Sequence, residues 1–243
     1  MTVVELVIVA GAVFSAALVQ VLSGFGFALL SVPLMTLAIT TKEAVVVSTL
    51  LGVWVTTWQA WHGRNHVDSA VARRMVIAAY LGMPLGFWAF IAVDENVLRF
   101  ALGVSVLLAV VLLVVRIDVR GVGRPLDYGA GFVSGVLNTS LSTNGPPLVF
   151  VLHARESTPD AFRATLNMVF ACCNVVAITL FLVAGRVDRD GVVAALIAVP
   201  ALFIGQLCGY PLRKHLDGER FRRLVLALLI GAAASAIVNA LVS

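Results

Sequence analysis

Two stretches of the 243-residue chain place small and polar residues where a helix would have to break: Ser23-Gly24-Phe25-Gly26-Phe27 and Ser142-Thr143-Asn144-Gly145-Pro146-Pro147. Each interrupts an apolar run. A helix that starts inside a membrane leaves its first N–H groups without intrahelical acceptors and carries partial positive charge there, which suits an anion. Glycine lets the backbone approach a ligand, and proline at a helix start forfeits an N–H that had no partner anyway. Other uncharged polar residues recur at helical spacing: Ser134, Asn138 and Ser142 lie along one face, mirrored by Ser15 and Ser23, while Asn167 and Asn174 share a second, with Ser48 opposite. In a bilayer such side chains turn toward the bundle or a wet cavity, where their alternative use is interhelical hydrogen bonding worth about 0.6 kcal/mol each. The expected substrate-binding set is Ser23, Gly24, Phe25, Gly26, Ser48, Asn138, Ser142, Thr143, Asn144, Gly145, Pro146, Asn167 and Asn174.

Other chemistries have less to stand on. No Asp, Glu, Lys or Arg falls in the middle of an apolar run, so a buried carboxylate relay for protons is not visible. Coupling then has to come from the anion's own protonation or from the membrane potential, worth about 2.3 kcal/mol per charge per 100 mV. His62, His66, His153 and His215 sit at the edges of the runs, out of reach of a deep serine, so no catalytic residue is assigned and an enzyme is not expected. Cys172, Cys173 and Cys208 lie within apolar runs without Cys-x-x-Cys spacing, and read as packing residues rather than a disulfide or metal site. No cofactor is implied. The rival functions are a cation or metal transporter or channel leaning on Cys172 and Cys173, and an intramembrane hydrolase.

The elements that must position these residues follow from composition. The chain is 60 % hydrophobic and 12 % charged, with mean hydropathy +1.02, where a soluble domain has about 25 % charged residues. Charges cluster in short stretches separated by apolar runs of roughly 18 to 22 residues, the length that spans a bilayer as helix. The lipid bilayer is therefore the expected surroundings. The first run, near 2 to 22, has no basic segment before it and reads as a retained helix rather than a cleaved leader. The pI near 9.3 comes from basic residues at run ends, where the positive-inside rule accounts for them without nucleic acid.

Offset by about 120 residues, the chain matches itself. Ser15, Leu22, Ser23 and Gly26 align with Ser134, Leu141, Ser142 and Gly145, Ser48 with Asn167, Gly82 and Gly86 with Gly205 and Gly209, and Asp94 with Asp217. Residues 1–119 and 120–243 thus form two repeats, each with five apolar segments, of which the first two read as one short broken or re-entrant pair. The second repeat's pair, near 128 to 141 and 146 to 153, holds about 22 residues, too few for two crossings. Three full crossings per repeat leave the two with opposite sidedness. The Asp94 to Arg99 loop holds two acids and one Arg, whereas its partner holds Arg213, Lys214, Arg220, Arg222 and Arg223 against Asp217 and Glu219, as opposite sides require. Arg64, Arg73 and Arg74, and Arg116, Arg120 and Arg124, mark further inside loops. The competing arrangement, with each short pair as one broken span and parallel repeats, would put the unlike loops on one side. Gly82-x-x-x-Gly86 and Gly205-x-x-x-Gly209 read as close helix contacts.

The paired Ser-Gly-x-Gly and Ser-Thr-Asn-Gly-Pro-Pro breaks, in two apolar halves of this length, resemble the sulfite exporter TauE/SafE family of membrane transporters over nearly the whole chain. Gly145 to Pro147 matches the family well, and Phe25 and Phe27 stand where it often has further glycines. The resemblance implies an all-α integral protein of a bacterial inner membrane that moves sulfite, sulfonates or related small anions. Self-association into a homodimer is compatible with it.

Overall fold

The computed structural model describes residues 2–114, 123–155 and 158–212, together with residues 230, 231 and 234. The described residues form helices throughout: α1 (Val3–Ser23), α2 (Phe27–Met35), α3 (Thr41–Gly63), α4 (Ser69–Ala92), α5 (Glu95–Val114), α6 (Arg124–Leu141), α7 (Gly145–Ala154), α8 (Pro159–Val183) and α9 (Arg189–Leu212), with a short 3-10 turn at Arg64–His66. No strand occurs among them. Five of these helices, α1, α3, α4, α8 and α9, are long and apolar enough to cross a membrane. Arg116, Arg120, the cluster from Arg213 to Arg223 with His215, Asp217 and Glu219, and nearly all of the last apolar segment lie outside the described residues.

Helix ends at the edges of the bundle are capped by side chains. Thr2 and Glu5 form a reciprocal capping box on α1, Thr40 and Glu43 repeat it on α3, and Asp68 and Thr158 accept from first-turn amides of α4 and α8. Near the capped start of α4, Trp58 and Trp61 stay exposed at the end of α3, as an amphipathic ring at the end of a membrane helix would.

In the first broken pair α1 covers its expected segment near 2 to 22, whereas α2 ends at Met35, short of the expected segment near 25 to 40. α1 runs 21 residues and α6 runs 18, about 31 and 27 Å of helix, whereas α2 and α7 return over only 9 and 10 residues. α6 outgrows the expected 14-residue segment because its first turn admits charge. Pro125 sits at a helix start, where it is tolerated. Asp127, 0 % exposed, accepts from Arg74 Nε at 2.7 Å and from Arg155 Nη2 at 2.6 Å. That triad ties the start of α6 to α4 and to the end of α7. Sequence reading, which left Asp127 in a loop, did not foresee it.

Packing follows the glycines. α4 lies along α6 and α9 along α1, the two most extensive helix pairs, and α3 lies along α8. A methyl group added at Gly82 or Gly86 would overlap the carbonyl oxygens of Phe132 or Val136, and one at Gly131 or Gly135 those of Met75 or Ala79. Backbone therefore touches backbone, the arrangement by which helices associate in lipid without a hydrophobic driving force. Gly205 meets the Phe14 carbonyl in the same way. In the 120-residue offset α4 corresponds to α9 and α6 to α1, so these two close pairs are each other's equivalents. Across the first, Thr139 Oγ donates to the Met83 carbonyl at 2.7 Å.

Candidate anion-binding site

Both breaks lead to one cavity. α1 ends on Gly24 at φ +87°, and α2 begins after Gly26 at φ +97°, left-handed conformations that glycine adopts without strain. α6 ends on Ser142 at φ 59°, a costly conformation for a residue with a Cβ. Ser142 is held there by its own amide, which donates to the Asn138 carbonyl, and by its hydroxyl, 3.2 Å from Thr49 Oγ1. Around Gly145 the breaks touch: its Cβ position is 3.8 Å from both Phe25 and Leu29 and 3.7 Å from Phe170.

The cavity has a volume of about 30 Å³ open to the centre of a water-sized group, walled by Gly26 to Leu29, Ser142 to Gly145, Gln20, Ser48, Gly52, Thr56, Phe170 and Asn174. Of the residues expected from sequence, Gly26, Ser48, Ser142, Thr143, Asn144, Gly145 and Asn174 line it. The remaining six do not. Ser23 Oγ is spent on the carbonyls of Val19 and Phe25, at 2.8 and 2.5 Å. Gly24 lies under the stem of Arg163. Phe25 and Pro146 are buried beside the lining. Asn138 Nδ2 donates to Asn174 Oδ1 at 2.9 Å and so orients a wall residue from behind. Asn167 bridges Gln20 Nε2, as acceptor at 3.3 Å, and the Arg163 carbonyl, as donor at 2.8 Å.

Sequence reading missed Gln20, Phe27, Ala28, Leu29, Gly52, Thr56 and Phe170. A signal existed for three of them. Gln20 is an amide in the deep half of an apolar run, and Ser48, Gly52 and Thr56 follow one another at four-residue spacing along one face of α3. Gln20 has a further effect: its Oε1 accepts the Phe27 amide at 3.0 Å, filling the first donor of α2.

The donor inventory is therefore smaller than two bare helix starts would supply. On α2 the amides of Ala28 and Leu29 have no intrahelical acceptor. On α7, Pro146 and Pro147 carry no N–H, leaving the Gly145 amide. Neither Gly26 nor Asn144 caps its helix with a side chain, in contrast to the capped helices at the bundle edge. Asparagine is among the best N-cap residues, yet Asn144 leaves that role unfilled. It is 7 % exposed, and its Nδ2 has no acceptor. Ser134 Oγ donates to the Asn144 carbonyl at 3.0 Å and holds the residue in place. An unpaired buried donor costs about 1 to 3 kcal/mol, and a ligand oxygen would relieve it.

Cys172 and Cys173 do not line the cavity: Cys172 carries the carbonyl that Tyr80 approaches at 3.4 Å, and Cys173 is in the core. No group of three His, Cys, Asp or Glu side chains assembles among the described residues.

A bundle of apolar helices long enough to cross a bilayer, with two broken helices meeting at a buried polar cavity, has the architecture of a multi-pass membrane transporter. The chain matches the family model "Sulfite exporter TauE/SafE" over residues 8–236, and it belongs to that family, whose members are transporters rather than enzymes. It is 32 % identical over 108 residues to a probable inner membrane transporter protein, TsaS, of Comamonas testosteroni, covering 44 % of this chain and 45 % of that one. It is also 32 % identical over 117 residues to a probable sulfite/organosulfonate exporter, TauE, of Cupriavidus necator, covering 46 % of each. The chain thus spans about half the length of these relatives. No solved structure matches it.

Proposed function

We propose that the protein is a secondary transporter that exports a small sulfur-containing anion, sulfite or an organosulfonate, across a bacterial inner membrane, binding it in the cavity between the two breaks. The observation that carries this reading is Asn144, whose buried Nδ2 lacks an acceptor at the uncapped start of α7. An anion there would receive Nδ2, the Gly145 amide, the free α2 amides and the positive ends of two short helices. A cation would meet the same donors as repulsion.

Residues 1–119 and 120–243 act as two inverted repeats in this reading, with the substrate between them. The equivalence of the α4–α6 and α9–α1 contacts supports it, as does the opposite charge bias of the loops at Asp94 and Asp217. With no charged side chain in the lining among the described residues, the membrane potential supplies the drive, since moving one negative charge outward is favoured by about 2.3 kcal/mol per 100 mV.

The test is flux of radiolabelled sulfite in proteoliposomes, against sulfate, taurine and nickel. Sulfite movement that accelerates with a potential negative on the side of origin is the expected result. Nickel flux without sulfite flux would move the protein to the metal-transporter class.

A further inference from the structure

We infer that the species carried is a monoanion, hydrogensulfite or a small sulfonate, and that the doubly charged sulfite and sulfate ions are rejected by the cavity itself. The inference rests on the transport reading above and adds the charge state of the substrate.

Among the described residues the lining is built wholly of uncharged groups: hydroxyls of Ser48, Thr56, Ser142 and Thr143, carboxamides of Gln20, Asn144 and Asn174, and backbone and apolar carbon. The walls come from α1, α2, α3, the α6–α7 break and α8, with α5 behind Thr143 through Ser105 at 3.4 Å. Titratable groups on these elements stand elsewhere. Glu5, Lys42, Glu43, His62, Glu95, Arg99, Asp127, Tyr128, His153 and Asp160 lie toward helix ends; Arg163 packs on Gly24; Cys172 and Cys173 face other contacts, and none of them lines the cavity. Arg74 and Arg155 are engaged with Asp127.

In such a cage the two energies that select an anion scale differently with its charge. Attraction to fixed dipoles grows in proportion to the charge, while the loss of hydration grows as its square. Even one ion of carboxylate size gives up a large hydration energy on transfer to low dielectric. Doubling the charge doubles the attraction and quadruples the loss. To offset that loss a dianion needs either a fuller set of donors or a fixed cation such as a bidentate arginine, and among the described residues the lining offers a short donor set and no cation.

The donor count agrees. Thr56 Oγ1 is committed to the Gly52 carbonyl at 2.6 Å, and the Phe27 amide to Gln20 at 3.0 Å, which leaves a short set suited to one charge. Ser48 and Ser142 hydroxyls, each paired with a second hydroxyl at 3.1 and 3.2 Å, keep oxygen lone pairs that can accept the proton of hydrogensulfite. Phe27, Leu29 and Phe170 supply the apolar wall against which the carbon of a sulfonate would rest.

The experiment measures initial flux of sulfite and of methanesulfonate into proteoliposomes at fixed total concentration. The pH is stepped upward through the second ionisation of sulfurous acid, and flux into protein-free liposomes is subtracted. Methanesulfonate, always a monoanion, reports any titration of the protein itself. Expected is a methanesulfonate rate that stays level, a sulfite rate that falls about tenfold per pH unit above that pKa, and sulfate flux at the protein-free level. Sulfite flux that stays level or rises with pH beside a level methanesulfonate rate overturns the inference and leaves the transport reading standing, as does sulfate carried as fast as methanesulfonate. Absence of protein-dependent flux for both sulfite and methanesulfonate removes the transport reading and this inference with it.

Discussion

Asn144 and Asp127 represent two opposite uses of a buried polar side chain. Asn144 keeps a donor without a partner at the cavity, whereas Asp127 has two arginines and no free role. Replacing Asn144 by Ala should therefore leave folding and insertion intact and raise the apparent KM for the transported anion about 10- to 100-fold, the loss of one hydrogen bond to a charged group worth about 1.5 to 3 kcal/mol. A concentration series in proteoliposomes reads it. Asp127→Ala should act on the molecule rather than on the substrate. It strips the acceptor from Arg74 and Arg155, which are partly exposed and can rehydrate, so the expected loss is about 1 to 3 kcal/mol of stability, visible as a lower melting temperature in detergent. Equal melting temperatures for the variant and the parent would mean that the triad contributes no net stability.

At the scale of helices, the glycine pairs predict a sharp contrast. Gly135→Ala should force α6 off the Ala79 backbone and lower stability by about 1 to 3 kcal/mol through overpacking. Gly129→Ala, nearly two turns earlier on the same helix, meets nothing within 4 Å and should leave the melting temperature unchanged or slightly raised in the same assay. That Gly82 and Gly86 make a close contact was legible in the sequence, because the spacing defines a face; that the partner is α6 was not, because the face says nothing of what covers it. The positions of the helices and the two breaks were legible for a similar reason, since apolar run length and Gly-Pro punctuation are local. The length of α6 was not, because it depends on Arg74 and Arg155 arriving from other helices to neutralise Asp127. Within the site, Asn144 and Gly145 could be read from their place at a helix start. Ser23 and Gly24 were read the same way, yet the hydroxyl of Ser23 turns back on its own backbone and Gly24 serves the turn under Arg163. Gln20 stood out only as an amide deep in an apolar run; its role, filling the Phe27 amide, exists only once the chain has doubled back.

For the molecule as a whole, the proposed inverted arrangement requires the Asp94 turn and the stretch around Asp217 to face opposite sides of the membrane. Single cysteines at the two positions, in a chain with Cys172, Cys173 and Cys208 replaced, should react with an impermeant thiol reagent in intact cells only at position 94. Equal reaction at both would favour parallel repeats. The pairing of α1 with α9 and of α6 with α4 also bears on the order in which the chain is made. Made before the other described helices, α1 must reside in lipid until α9 has been synthesised, and it is apolar enough to do so, with Ser15, Gln20 and Ser23 as its only polar side chains beyond the first turn. α6, with Arg124, Asp127, Ser134, Asn138, Thr139 and Ser140, would be a poor solitary guest of a bilayer. By the time it leaves the ribosome, α4 is already in place to receive it, so the polarity of each helix is matched to how long it waits for its neighbour.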